Sequence, residues 1–168
     1  MEASSLKDLP SCALLFWSDT MNMKYMDIAY EEALKAYEIG EIPVGCVIVK
    51  KDEILAKTHN LKENNNCAID HAEVLAIKEA SSKLNNWRLD ECDIYITLSP
   101  CPMCASAIKQ ARIHNIYCGI SNDTYDDKLI KNILSTTDNN SEVNIDFNID
   151  KTRCGNLLKK FFKLRRFD

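Results

Sequence analysis

The chain is predicted to fold as an α/β protein, a three-layer α/β/α sandwich on a five-stranded mixed sheet. Three observations predict this class. Helical and β-branched segments alternate in the order α-β-β-α-β-α-β-(α)-β-α. The first two strands are separated by a two-residue turn and must pair antiparallel, whereas strands separated by helices run parallel and need helices on both faces of the sheet. The length of 168 residues, with 46% hydrophobic and 27% charged residues, suits one hydrophobic core.

Residues 1–22 show no hydrophobic period and are expected to form a loosely structured arm before a single domain at 23–168. From Met23 to Gly40, Met26, Ala29, Tyr30, Ala33, Ala36 and Tyr37 recur at three- and four-residue steps, a helix with Gly40 at its C-terminal cap. Pro43 to Lys50 is rich in β-branched residues, Lys51-Asp52 forms the turn, and Ile54 to Asn60 returns as a hairpin partner. Residues 61–69, with three consecutive asparagines, read as a loop; Asp70 is a suitable N-cap for a helix to Leu84. Cys92 to Leu98 is a strand, Cys101 to Arg112 a helix and Asn115 to Gly119 a strand. A polar stretch contains a short helix near 128–134, Val143 to Ile149 alternates as a strand, and Lys151 to Arg166 closes the chain as a helix.

The formal charge of −4 is unevenly distributed. Of 21 basic and 25 acidic residues, the last ten positions hold Lys159, Lys160, Lys163, Arg165 and Arg166 against Asp168, leaving −8 on the rest. A basic tail on an acidic body fits a local anionic partner; a solvated helix end whose cations complement the helix dipole is the plainer alternative. The longest apolar run near the N-terminus, Cys12 to Trp17, falls far short of the roughly 20 residues of a membrane span and lacks a basic leader. A cytoplasmic location without a membrane is therefore expected. The eight cysteines then read as reduced thiols with a metal site among them, not as a disulfide framework.

Two segments carry the chemistry, Asp70-His71-Ala72-Glu73 and Ser99-Pro100-Cys101-Pro102-Met103-Cys104, each at the start of a predicted helix. Cys101 and Cys104 are one helical turn apart, and His71 adds a nitrogen from the second helix start. Two thiolates and an imidazole suit Zn²⁺, and three protein ligands leave a fourth tetrahedral position for water, the mark of a catalytic site. Glu73 is about 200° from His71 on an ideal helix, so their shared orientation requires the freedom of the first turn. From there it can carry protons without binding metal. The rival arrangement adds Cys67 to make a closed Cys₃His structural site in which Glu73 has no task. The remaining cysteines read as buried small hydrophobes.

The combination of His71-Ala72-Glu73 with Pro100-Cys101-Pro102-Met103-Cys104 resembles the signature of zinc-dependent, cytidine deaminase-like hydrolases. Within them, Gly40-Glu41-Ile42-Pro43-Val44-Gly45 resembles the substrate-pocket segment of bacterial tRNA-specific adenosine deaminases. Asn60 stands where that family carries a pocket asparagine. Leu157 to Arg166, with Phe161-Phe162 and Arg165-Arg166, resembles its C-terminal helix. The similarity spans about Met26 to Arg166. Three positions depart from the family pattern: Ser99 stands for a glutamate, Ile69 for a polar residue, and Asn122 for an aspartate that helps hold RNA. The loop at 123–128 also differs.

This resemblance implies a cytidine deaminase-like fold, one Zn²⁺ per chain, a tRNA anticodon stem-loop as partner and a homodimer. It implies hydrolytic deamination of adenosine to inosine at the wobble position, with Glu73 as proton carrier. Asn60, Pro43, Val44 and the backbone N–H of Ala72 would hold the base, and Phe161, Arg165, Arg166 and Asn122 the RNA. Two alternatives stand beside it. Ser99 and the acidic body fit deamination of free guanine, cytosine or a nucleotide. A non-catalytic, zinc-stabilised tRNA-binding subunit would not need Glu73.

Overall fold

The structure, a computed structural model, describes residues 11–135 and 143–165. Helix α1 (Ser11–Glu38) is followed by the hairpin β1 (Gly45–Lys50) and β2 (Glu53–His59). Then come α2 (Ala72–Leu84), β3 (Cys92–Leu98), α3 (Pro102–Gln110), β4 (Asn115–Ile120), α4 (Asp127–Ser135), β5 (Asn144–Asp146) and α5 (Lys151–Arg165). The five strands lie in the order β2-β1-β3-β4-β5, with β1 antiparallel to β2 and β3, and β3, β4 and β5 parallel. This is the expected mixed sheet.

The layering follows from handedness. β2 and β3, both antiparallel to β1, run the same way as β4 and β5. The crossovers through α2, α3 and α4 all advance in one direction along the sheet. Right-handed crossovers therefore put these three helices on one face, leaving the other face to α1 and α5. The strand alternation agrees. Cys46, Ile48, Ile94, Ile96, Ile116 and Cys118 join the core under α2, α3 and α4, while Val47, Val49 and Tyr95 join Met26 and Ala29 of α1.

Local chemistry sets the element ends. Lys51 and Asp52 both have positive φ, 47° and 65°, as a two-residue hairpin turn requires. A bulge shifts the register where Ile48 pairs with Ala56 and Val49 with Ile54, which lets adjacent Leu55 and Ala56 both enter the core. Past α1, Gly40 takes a φ of +81°, its N–H reaching Tyr37 O and that of Glu41 reaching Ala36 O. This glycine cap satisfies two terminal carbonyls and turns Glu41 inward.

Three expectations change. α1 starts at Ser11, so residues 11–22, expected as part of a loose arm, are helical; residues 1–10 lie outside the described residues. The Tyr95 hydroxyl donates to Asn22 Oδ1 at 2.9 Å, and Met21 packs on the α1-side core, contacts that supply the stability a local period does not. The N-cap of α2 is His71, not Asp70, whose carboxylate instead accepts from Asn65 Nδ2 at 2.7 Å. Finally, β5 covers three residues and not seven, because Asn148, at φ 63°, turns the chain before Ile149 returns to bond Cys118 O.

Candidate metal centre and active site

The ends of β2, β3 and β4 and the starts of α2 and α3 meet at one edge of the sheet, where open α/β folds place their ligands. His71 and Cys101 are the N-caps of α2 and α3, with extended backbones (φ −73°, ψ 152° and φ −73°, ψ 167°). Pro102 follows Cys101 at the first helical position, where its missing N–H costs nothing. Cap residues stand outside the helical winding, so the angular rule that separated His71 from Glu73 does not apply to them.

His71 Nδ1 lies 3.7 Å from Cys101 Sγ and 3.5 Å from Cys104 Sγ, and the three ligand atoms all fall within 4.8 Å of one another. A tetrahedral zinc with ordinary Zn–N and Zn–S bonds separates neighbouring nitrogen and sulfur by ~3.6 Å. The donor set and its spacing therefore fit Zn²⁺. Electrostatics prepare it: the Cys104 side chain hydrogen-bonds Cys101, and with His71 beside it this outweighs burial to bring the Cys101 thiol down to about 4. The same bond, and burial, hold Cys104 up, while His71 is raised chiefly by its bond to Cys101. Positive helix ends favour thiolates at both positions. Cys67 does not join this group. Its side chain hydrogen-bonds the Asp70 carboxylate. Among the described residues the ligand set is His71, Cys101 and Cys104, three protein donors, as in catalytic and not structural zinc sites.

Glu73 is buried at the second position of α2, and its carboxylate hydrogen-bonds Cys104. Burial raises it to about 6. A carboxyl poised near neutrality beside a metal cluster can both take and return a proton.

A cavity of about 200 Å³ opens over this cluster. It is smaller than the roughly 300–1,000 Å³ of drug-sized sites and suits one nucleobase. Asn60, Val44, His71, Glu73, Cys101 and Asn122 line it. Pro43 and Ala72 are fully buried and do not line it; Ile42 stands beside Val44 in Pro43's place. Asn122 Nδ2 donates to Ser99 O at 3.5 Å, which sets this residue in the cavity wall. The Ser99 hydroxyl is buried and has no hydrogen-bond partner among the described residues.

The helix α5 divides its expected RNA residues. Phe161 is 4% exposed and packs edge-on against Tyr37 at 6.2 Å. The Arg165 guanidinium lies 4.9 Å from the Phe161 ring centre and donates to Gly40 O. These two residues fasten α5 to the end of α1. Phe161 has no free face for a base; the neighbouring Phe162, 49% exposed, does. Arg166 lies outside the described residues.

Several wall residues escape sequence reasoning: Lys62, Leu98 and Tyr125 come from three separate loops and strand ends, and no local pattern unites them. Glu41 also escapes. It is fully buried, with Asn60 and Asn64 as its partners. An acid set between a helix-capping glycine and Ile42-Pro43-Val44 was the available signal.

A family model of the cytidine and deoxycytidylate deaminase zinc-binding region matches residues 19–120. The tRNA-specific adenosine deaminase of Streptococcus pyogenes serotype M18 is 40% identical over 144 residues, covering 84% of this chain and 90% of that protein. That of Bacillus subtilis is 38% identical over 149 residues, covering 86% and 90%. A solved structure from studies of A-to-I editing by tRNA:A34 deaminases at the wobble position of transfer RNA superposes with a TM-score of 0.74. It is 28% identical and covers 81% of this chain and 99% of its own.

Proposed function

The chain belongs to the cytidine and deoxycytidylate deaminase family, among its tRNA-specific adenosine deaminases, and we propose that it hydrolyses adenosine to inosine at the wobble position of a tRNA anticodon stem-loop. The observation that carries the chemistry is the buried Glu73 carboxylate at the foot of a one-base cavity, beside the His71, Cys101 and Cys104 cluster. These three residues would hold Zn²⁺, which would supply Lewis acidity and bring the pKa of water toward neutrality. Glu73 accepts the proton released as water adds to C6 of adenine and delivers it to N1. It then takes the proton of the new C6 hydroxyl and passes it to the amine as the C6–N bond breaks, so that adenosine and water give inosine and ammonia. Asn60 orients the base, while Ile42 and Val44 form an apolar wall.

An anticodon base reaches such a cavity only when it is turned out of its stack. Phe162, Lys159, Lys160, Lys163 and Arg165, exposed on α5, supply the stacking surface and cations that splayed RNA needs. Arg166 and Asn122 complete the RNA contacts. Resemblance to tRNA-specific adenosine deaminases supports a homodimer and a cytoplasmic location as further parts of the proposal. Among the described residues no helix is long and apolar enough to cross a membrane.

The test presents purified protein with tRNA bearing wobble adenosine and, separately, with free adenine, guanine and cytosine. Inosine should appear in the tRNA alone. Turnover of a free base without tRNA turnover would favour the small-base reading that Ser99 raises. Glu73→Gln should lower kcat by about 10³-fold or more with zinc still bound; retention of full activity would overturn the mechanism.

A further inference from the structure

Glu41 is fully buried, and its two oxygens serve different groups. Oε1 accepts from the Asn64 backbone N–H at 2.8 Å and from Asn64 Nδ2 at 3.0 Å. Oε2 accepts from Asn60 Nδ2 at 2.9 Å. The residue is held just past the capping glycine of α1, and Asn60 is anchored by its own N–H to Val44 O at 3.1 Å. A tie to the 61–66 loop would need only the first oxygen.

The second oxygen has a separate consequence. An amide side chain has a donor end and an acceptor end that are nearly identical in shape, and an ionised carboxylate can only accept. Facing Glu41, Asn60 must present its NH₂ group, which turns Oδ1 away. Because Asn60 lines the cavity, the carboxylate determines the polarity that a bound base meets there. We propose that Glu41 is a positioning residue that locks the Asn60 amide with Oδ1 facing the bound nucleoside, where it accepts from an N–H or O–H of that ligand. The lock is a property of these side chains; the ligand's identity rests on the adenosine deaminase reading above.

The near-isosteric variant Glu41→Gln tests this. Its remaining oxygen can still serve both Asn64 donors, but its NH₂ group opposes Asn60. The Asn60 amide then turns over to accept, and an N–H replaces Oδ1 at the cavity. Asn60→Asp alone sets two carboxylates against each other. Combining the two substitutions restores a donor–acceptor pair, returns an oxygen to the cavity and conserves the charge of the cluster.

With wobble-adenosine tRNA, Glu41→Gln should lower kcat/KM about 30-fold with zinc content and Tm unchanged, and the double variant should recover to within about threefold of wild type. Asn60→Asp should lower Tm, and adding Glu41→Gln should raise it again. Wild-type kcat/KM in Glu41→Gln, failure of the double variant to regain activity, or additive Tm changes would each overturn the proposal. The Tm cycle requires no substrate. If wild type deaminates no tRNA yet the Tm coupling is present, the lock stands and the substrate reading fails.

Discussion

Gly45 has no side chain because there is no room for one. A Cβ there would lie 1.9 Å from Ala29 O and 2.5 Å from Ala33 N, both backbone atoms of α1. The close approach also lets the Gly45 N–H reach Thr97 Oγ1 at 3.0 Å. Gly45→Ala must lift α1 from the sheet, with an expected loss of about 3 kcal/mol, read as a fall in Tm of about 6–12 °C. Nearby, the buried Glu32 accepts from Lys35 Nζ at 2.6 Å and pairs with His59 Nδ1 at 2.8 Å. Burial acts to raise its carboxyl, but the hydrogen bonds of Lys35 and His59 together hold it below its ordinary 4.5. A folded value below the unfolded one means that this carboxylate stabilises the protein above about pH 4.5 and ceases to do so as pH falls through the folded value. Glu32→Gln should therefore lower Tm at pH 7 and flatten its decline in acid; an unchanged acid limb would exclude this linkage. Neither effect is legible in sequence, since Gly45 and Glu32 acquire their meaning from partners brought close only by the docking of α1 on the sheet.

At the scale of elements, α5 separates two aromatic residues that look equivalent in sequence. Phe161 is buried against Tyr37, whereas Phe162 is exposed. Phe161→Ala should unseat the helix, lowering Tm by several degrees, on the order of 3 kcal/mol. Phe162→Ala should leave Tm within about 1 °C of wild type and raise KM for tRNA, because it removes only a stacking surface. Equal Tm losses would show that both are packing residues. The helix itself was readable, since its apolar positions recur at helical spacing; which phenylalanine faces inward depended on the position of Tyr37. For the same reason the first two turns of α1 were not foreseen. Their apolar residues are consecutive, Cys12 to Trp17, and carry no phase. The zinc ligands were legible because both ends of the motif are local, but the expected N-cap Asp70 was one residue early. That difference allowed His71 and Glu73 to face one cavity despite their spacing.

For the whole molecule, the metal site joins elements that the chain separates. His71 comes from the start of α2, and Cys101 and Cys104 from the start of α3. A metal bound by the folded arrangement but weakly by the unfolded chain adds its binding free energy to stability. Chelation should lower Tm and abolish deamination together, and stoichiometric Zn²⁺ should restore both; recovery of activity with no gain in Tm would argue against this linkage. By itself the sequence determined the order of elements and singled out the proposed metal ligands and proton carrier, because these depend on periodicity and short spacings. The tertiary structure alone decided that Cys67 stands aside, that Ile42 and not Pro43 lines the cavity, and that Glu41 supports Asn60. Such relations depend on which side chains the right-handed crossovers and the close seat of α1 bring within a few ångströms, and distance along the chain does not encode them.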